Sequence, residues 1–283
     1  MKITHDFHIH TRLSLCAGPD GGTLGEYLKQ FKEQGIVSVG FTDHFWDSNV
    51  GFEGLYADSR NAGVPHYYMT QNYEHISALK EELDHTDTGE VEVFFGAEVE
   101  YDPARRDIAL SPEIAEKLDF VVVPNSHTHM MMPKSYYEPY EKHRDFMVQA
   151  FIDTVSSPLS GKILAMAHPF YAVCCPYDVE LLMRTVPDDT YRRIFTMAAE
   201  KGIAIEINTA CVGALCSKGL EKPAVEHIRM FALAKKCGAK FTFGSDAHSI
   251  AGHRDYNMWC DKAVGLFSIE ETDIAKLPQK AEQ

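Results

Sequence analysis

Tyr191-Arg192-Arg193-Ile194-Phe195-Thr196-Met197-Ala198-Ala199-Glu200-Lys201-Gly202-Ile203-Ala204-Ile205-Glu206-Ile207-Asn208 decides the fold. A helical segment runs from Tyr191 to Lys201, stops at Gly202, and is followed at once by a short apolar run rich in β-branched residues. Glycine takes the left-handed conformation that ends a helix, and an apolar run of this length suits a strand buried on both faces. The segment from Ala224 to Cys237 repeats the pattern, ending at Gly238 before Lys240–Gly244. Working outward, the other runs are Ile3–Ile9, Val37–Thr42, Val91–Val99, Leu118–Val123 and Lys162–Ala167, with Ile203–Ile207 the sixth in chain order. Helix signals lie between them. Thr23-Leu24-Gly25-Glu26 is a capping box opening a helix that carries Leu24, Leu28 and Phe31 and ends at Gly35. Ser111-Pro112-Glu113 starts another, and Ser135-Tyr136-Tyr137-Glu138 a third running towards Thr154. Strand, helix, glycine, strand is the rhythm of right-handed βαβ units. Seven repeats without a linker predict one α/β domain over residues 1–283, a barrel or a doubly wound sheet. Phe45–Tyr68 breaks the rhythm and reads as a long functional loop, with Phe45, Trp46, Phe52 and Tyr56 over the site or in a satellite cluster.

Composition narrows the function. The 283 residues hold 27 Lys+Arg against 41 Asp+Glu, a formal charge of −14, so nothing resembles the positive face that nucleic acid needs. Hydrophobic content of 45% excludes a disordered chain, and no apolar stretch reaches the ~18 residues of a membrane span. Seven scattered Cys without a CxxC pair fit a reducing cytoplasm. Fourteen His is generous for such a chain, and their positions are informative.

Each run delivers His, Asp or Glu at its carboxyl end. In chain order these are His8-Ile9-His10, Asp43-His44, Glu98-Val99-Glu100, His127-Thr128-His129, His168, Glu206 and Asp246-Ala247-His248. That edge of a parallel sheet or barrel is where active sites assemble. Imidazole with carboxylate suits zinc, iron or manganese. The alternation of a strand points His8 and His10 to one side, and Glu98 and Glu100 likewise. His127 lies closer to its strand than His129 and is preferred as the ligand, which leaves His129 to a place behind the ligands or at the substrate. Asp43 and Glu206 are placed to orient metal-bound imidazoles. Arg12 and Arg254 follow two ligand clusters and either offer guanidinium forks to a phosphate or are solvated surface residues. His5, His66, His75, His85, His143 and His227 read as ordinary hydrogen-bonded residues.

With these residues in this order the chain resembles the polymerase and histidinol phosphatase (PHP) family of metal-dependent phosphoesterases. The resemblance rests on His8-Ile9-His10-Thr11, Thr42-Asp43-His44, Gly96-Ala97-Glu98, Ser126-His127, Ala167-His168-Pro169, Glu206-Ile207-Asn208 and Gly244-Ser245-Asp246-Ala247-His248. It implies a distorted seven-stranded (β/α)7 TIM-like barrel with two or three divalent ions, zinc, manganese or iron. Carried over, it places His8, His10, Glu98 and Asp246 around one ion, with Glu98 bridging to a second held by His127 and His168. His44 and His248 belong to a third, where Cys16 stands in place of the family's histidine. Either that site selects zinc or iron through the thiolate, or it is weak and the centre is mainly dinuclear. The implied reaction is hydrolysis of a small phosphomonoester, histidinol phosphate being the first candidate, with Asp246 or His248 as proton donor. A nuclease, a C–N or ester hydrolase and a non-catalytic metal-binding module are the rival readings.

Overall fold

The computed structural model describes residues 1–55, 64–172, 175, 178–217 and 225–280; Tyr56 of the expected loop and Ala224 lie outside them. All seven runs are strands: β1 His5–Ile9, β2 Ser38–Phe41, β3 Glu92–Val99, β4 Phe120–Pro124, β5 Ile163–Ala167, β6 Ala204–Asn208 and β7 Phe241–Gly244. Each pairs in parallel with the next in sequence. The ring closes between β7 and β1 without a regular ladder. An isolated bridge joins Ile9 to Ala247, His10 N–H donates to Ala247 C=O at 3.0 Å, and Asp246 N–H to His8 C=O at 2.7 Å. Side chains stitch the rest of the seam: Phe243 N–H donates to His5 Nε2 (3.2 Å) and Ser245 N–H to Asp6 Oδ1 (2.9 Å). Asp6 Oδ2 is itself bonded by buried His253 at 3.0 Å. The architecture is a nearly closed barrel of seven parallel strands, as the resemblance implies, and not the doubly wound sheet that the strand-helix rhythm also allowed.

Two apolar layers hold it. The larger fills the space between strands and helices, among them α1 Leu24–Gln34, α2 Val64–Thr70, α3 Tyr73–Asp84, α4 Tyr140–Val155, α5 Asp188–Lys201, α6 Val225–Lys236 and α7 Tyr256–Phe267. A smaller one joins Phe7, Phe94 and Phe120 to Val122, Ala165, Ala167 and Ala204 inside the barrel. Phe7 meets Phe120 edge-on at 5.3 Å and Phe94 at 5.7 Å. The large rings need small neighbours: a Cβ on Gly40 would sit 2.3 Å from the Phe120 ring. This plug makes the barrel a packed core, so polar groups gather only at its mouth.

The Thr23/Glu26 capping box is present and Gly35 ends α1 at φ +70°. Gly202 ends α5 in the same way. Three expectations change. Ser111 caps a helix that lasts one turn, Pro112–Ala115, before the chain turns into β4. The helix expected from Ser135 begins at Tyr140, after Pro139, a residue without an N–H to give and suited to a helix start. The 45–68 stretch contains a two-residue strand, His44–Phe45, paired with β3, and the seven residues of α2, too short to show a period. Phe45 and Trp46 are fully buried in the main core and do not overhang the mouth.

Candidate metal centre

Imidazoles from four strand ends converge on the carboxylate of a fifth. Glu98 Oε1 lies 3.0 Å from His168 Nε2, 3.5 Å from His8 Nε2 and 3.7 Å from His127 Nε2. Its Oε2 lies 2.7 Å from His44 Nδ1 and 3.7 Å from His10 Nε2. Asp246 Oδ1 approaches His10 Nε2 at 3.2 Å and His8 Nε2 at 3.7 Å. The donor atoms form four overlapping groups, each within 4.8 Å: His8/His10/Glu98, His8/His168/Asp246, His44/Glu98/Glu100/His127 and His10/His44/His248. Two of the residues hold left-handed backbone, His168 at φ +27° and Asp246 at φ +54°. Such strain persists where surrounding bonds over-determine it. Here the His168 N–H donates to Glu206 Oε2 at 2.6 Å, and Asp246 N–H to the His8 carbonyl.

The imidazoles are aimed through their other nitrogens. His8 Nδ1–H donates to Glu206 Oε1 at 2.7 Å. His10 Nδ1–H donates to Ser14 Oγ (2.9 Å), whose hydroxyl donates to Asp43 Oδ1 (2.6 Å). Asp43 therefore acts on His10 through a serine, not on an imidazole directly. The same carboxylate takes the Thr11 and Ser14 N–H groups and the Thr11 hydroxyl, which fixes the loop after β1. His127 Nδ1–H donates to Glu100 Oε1 (2.8 Å), and Glu100 also accepts the hydroxyl of buried Tyr68. His168 Nδ1 pairs with Ser126 Oγ at 2.6 Å, and His248 Nδ1–H donates to the Asp246 carbonyl at 2.9 Å. Such outer partners set which nitrogen faces a metal.

The residues fit divalent ions on two observations. His44 Nδ1 and Glu98 Oε2 lie 2.7 Å apart but too misaligned to bond, leaving both, with Glu100 Oε2, buried without hydrogen-bond partners. With both Nδ1 atoms committed, the 3.2 Å contact between His8 Nε2 and His10 Nε2 must share a proton. The field around them calls for positive charge. Burial opposes protonation of His8, yet Glu206, Glu98 and Asp246 raise it well above its ordinary value. His10, buried beside His248 and His44, is driven well below. A cation answers the same demand and takes the imidazole lone pairs in place of protons.

Cys16, the residue expected to complete a third site, is exposed and outside the four donor groups; His10 is the third member of the group that holds His44 and His248. Burial would raise its thiol, but hydrogen bonds with His248 and His44 outweigh that and bring it to about 6. Its N–H donates to Tyr67 Oη (2.8 Å), and Leu15 N–H to Gln71 Oε1 (2.8 Å), so α2 and the residue after it hold the Cys16 loop in place. Other placements differ from the sequence reading. Arg12 is exposed and its guanidinium lies 3.9 Å from Glu82 on α3. Arg254 is exposed at the end of a one-turn helix, Ile250–His253, where its carbonyl accepts from Gln34. Neither enters the donor groups. His129 is buried beside His127, ring centroids 5.5 Å apart, but outside those groups too. Ser14, Ser126, Tyr67, Tyr68 and Gln71 were not readable as site residues, because their partners come from other elements.

Comparison with known proteins agrees with this arrangement. The family model described as PHP domain matches residues 6–210. Proteins named probable phosphatase in two strains of Aliivibrio fischeri, ES114 and MJ11, are each 24% identical over 251 residues, 88% of this chain and 79% of theirs. Among solved structures, a histidinol phosphate phosphatase of Lactococcus lactis, complexed with zinc, L-histidinol and phosphate, superposes with a TM-score of 0.58. It is 15% identical, with 97% of this chain and 95% of that chain covered, so the likeness is one of fold.

Proposed function

The chain belongs to the PHP domain family, and on that premise we propose that this metal-dependent phosphatase hydrolyses a small phosphomonoester at the mouth of the barrel. The observation that carries the reading is the convergence of five imidazoles from four other strand ends on Glu98, with Glu206 and Asp246 set against those imidazoles. The proposed holders of one ion are His8, His10, Glu98 and Asp246. Glu98, His127 and His168 would hold a second, and Cys16, His44 and His248 a third. Zinc, manganese and iron all accept such donors, with the thiolate favouring zinc or iron at the third position. When bound, the ions supply Lewis acidity towards the phosphoryl oxygens and the attacking water.

The chain's own groups do the rest. Glu206 and the Ser14–Asp43 pair keep His8 and His10 turned inward, and Glu100 does so for His127. Asp246 and His248 are the residues proposed to serve the leaving oxygen with a proton; His248, a third exposed, stands nearer solvent. No Lys or Arg side chain bonds the clustered residues among those described, and the chain carries −14 overall. A long phosphodiester backbone would meet no positive track here, which favours a small ester over a nucleic acid. The Lactococcus lactis protein was solved with L-histidinol and phosphate, so amino-alcohol phosphates head the substrate panel.

The test is metal analysis of the purified protein with phosphate release measured from aryl phosphates, histidinol phosphate and a short oligonucleotide. Bound metal and release from a monoester are expected, with His8→Ala and Asp246→Ala reduced at least 100-fold. Full activity in those variants, or no metal above trace, sinks the reading.

A further inference from the structure

Seven imidazoles crowd the barrel mouth, and His129 alone of them lies outside the four donor groups. Nδ1 of His8, His10, His127, His168 and His248 is hydrogen-bonded, and that of His44 lies against Glu98. His129 Nδ1 is buried with no hydrogen-bond partner, and the residue lies outside all four donor groups. Its placement is not slack. Thr128 before it is held by His143 Nε2 on its Oγ1 (2.8 Å) and by the Tyr137 hydroxyl on its carbonyl (3.0 Å). Met130, Met131 and Met132 after it are buried. The ring is thus presented edge-on to His127, within reach of the charges of His44 and His168. Imidazoles recruited as ligands have their second nitrogen anchored. This one is rigid and uncommitted.

We propose that His129 is a substrate-binding residue that donates a hydrogen bond to the phosphoryl group of the ester and holds no metal. The inference rests on the phosphatase reading above. A phosphoryl group brings several acceptor oxygens, and no Lys or Arg side chain bonds the clustered residues to meet them among the described residues. A ring N–H donating to an anion is among the stronger hydrogen bonds a site can make.

The experiment compares metal-loaded wild type with His129→Ala, His129→Gln and His129→Asn, using inorganic phosphate as the probe. Metal content is read by elemental analysis, phosphate affinity by calorimetry, and KM and kcat separately on an aryl phosphate. Unchanged metal content is expected, with phosphate affinity lowered roughly 10- to 100-fold in His129→Ala and partly restored by an amide donor in Gln or Asn. Loss of one metal equivalent in all three variants overturns the proposal, because His129 is then a ligand. Intact metal with unchanged phosphate affinity overturns it as well, leaving the phosphatase reading standing. A wild type that takes up metal yet binds no phosphate and cleaves no ester removes both readings together. If His129→Ala fails to fold, Gln and Asn, which keep the volume, decide the question.

Discussion

At the scale of single residues, the second nitrogen of each imidazole is as informative as the first. Glu206 spends one oxygen on His8 Nδ1 and the other on the strained His168 peptide, so one carboxylate orders two proposed ligands. Glu206→Gln is expected to lower metal affinity about 10- to 100-fold while leaving the fold intact, as measured by competition with a chelating dye; unchanged affinity would falsify the orienting role. His5 is a different kind of histidine. Burial, offset only in part by the Asp6 carboxylate, holds it down at about 4, and its Nε2 accepts the Phe243 N–H across the barrel seam. A histidine harder to protonate when folded gains its proton on unfolding, so its contribution is complete above about pH 6.5 and drains away towards pH 4. The full swing is worth roughly 3 kcal/mol. His5→Asn retains an acceptor without a proton to gain. Chelator-treated His5→Asn should therefore lose less stability than wild type between pH 7.5 and 5 in urea unfolding, and equal losses would rule the mechanism out.

At the scale of elements, what was legible follows from locality. A parallel strand is a short apolar run, and a residue at its end needs no distant partner to be noticed, so the strands and the inward-facing His8, His10, His44, Glu98 and His168 were all readable. The seam was not: Asp6 closes it by accepting from Ser245, 239 residues away. Arg12 and Arg254 looked like phosphate ligands by their spacing alone, yet the chain has turned at both points. The backbone of Arg12 packs where a Cβ on Gly21 would lie 2.5 Å from its Cα, and its side chain leaves towards Glu82. The interior plug makes an equally local prediction about β2. Gly40→Ala would drive a methyl into the Phe120 ring, which is itself wedged against Phe7. Overpacking of this kind costs about 1–3 kcal/mol, read as a lower urea midpoint at unchanged m-value. A variant as stable as wild type would mean that Phe120 has room to move, contrary to the packing.

At the scale of the whole molecule, the fold carries a charge problem that it does not solve by itself. Glu98, Glu100 and Glu206 are buried at the mouth, and Asp246 nearly so, with no Lys or Arg bonded to them among the described residues. Protons on His8 and His44 can compensate only in part, because burial and the neighbouring His248 and His44 force His10 the other way. Divalent ions relieve the whole set at once, and they bind the folded chain in preference to the unfolded one. Each ion held at a thousand times its dissociation constant then adds about 4 kcal/mol to stability, which for a domain this large raises the melting temperature by roughly 10 °C. Treating the protein with a chelator should lower Tm by at least that much, and adding back zinc or manganese should restore it. Glu98→Gln removes the carboxylate that faces five imidazoles, so its Tm should respond far less to the chelator and start near the stripped wild type. Identical melting of wild type with and without chelator, at full removal of metal, would show that the acids at the mouth are compensated by protons alone, and the barrel would then need no ion to stand.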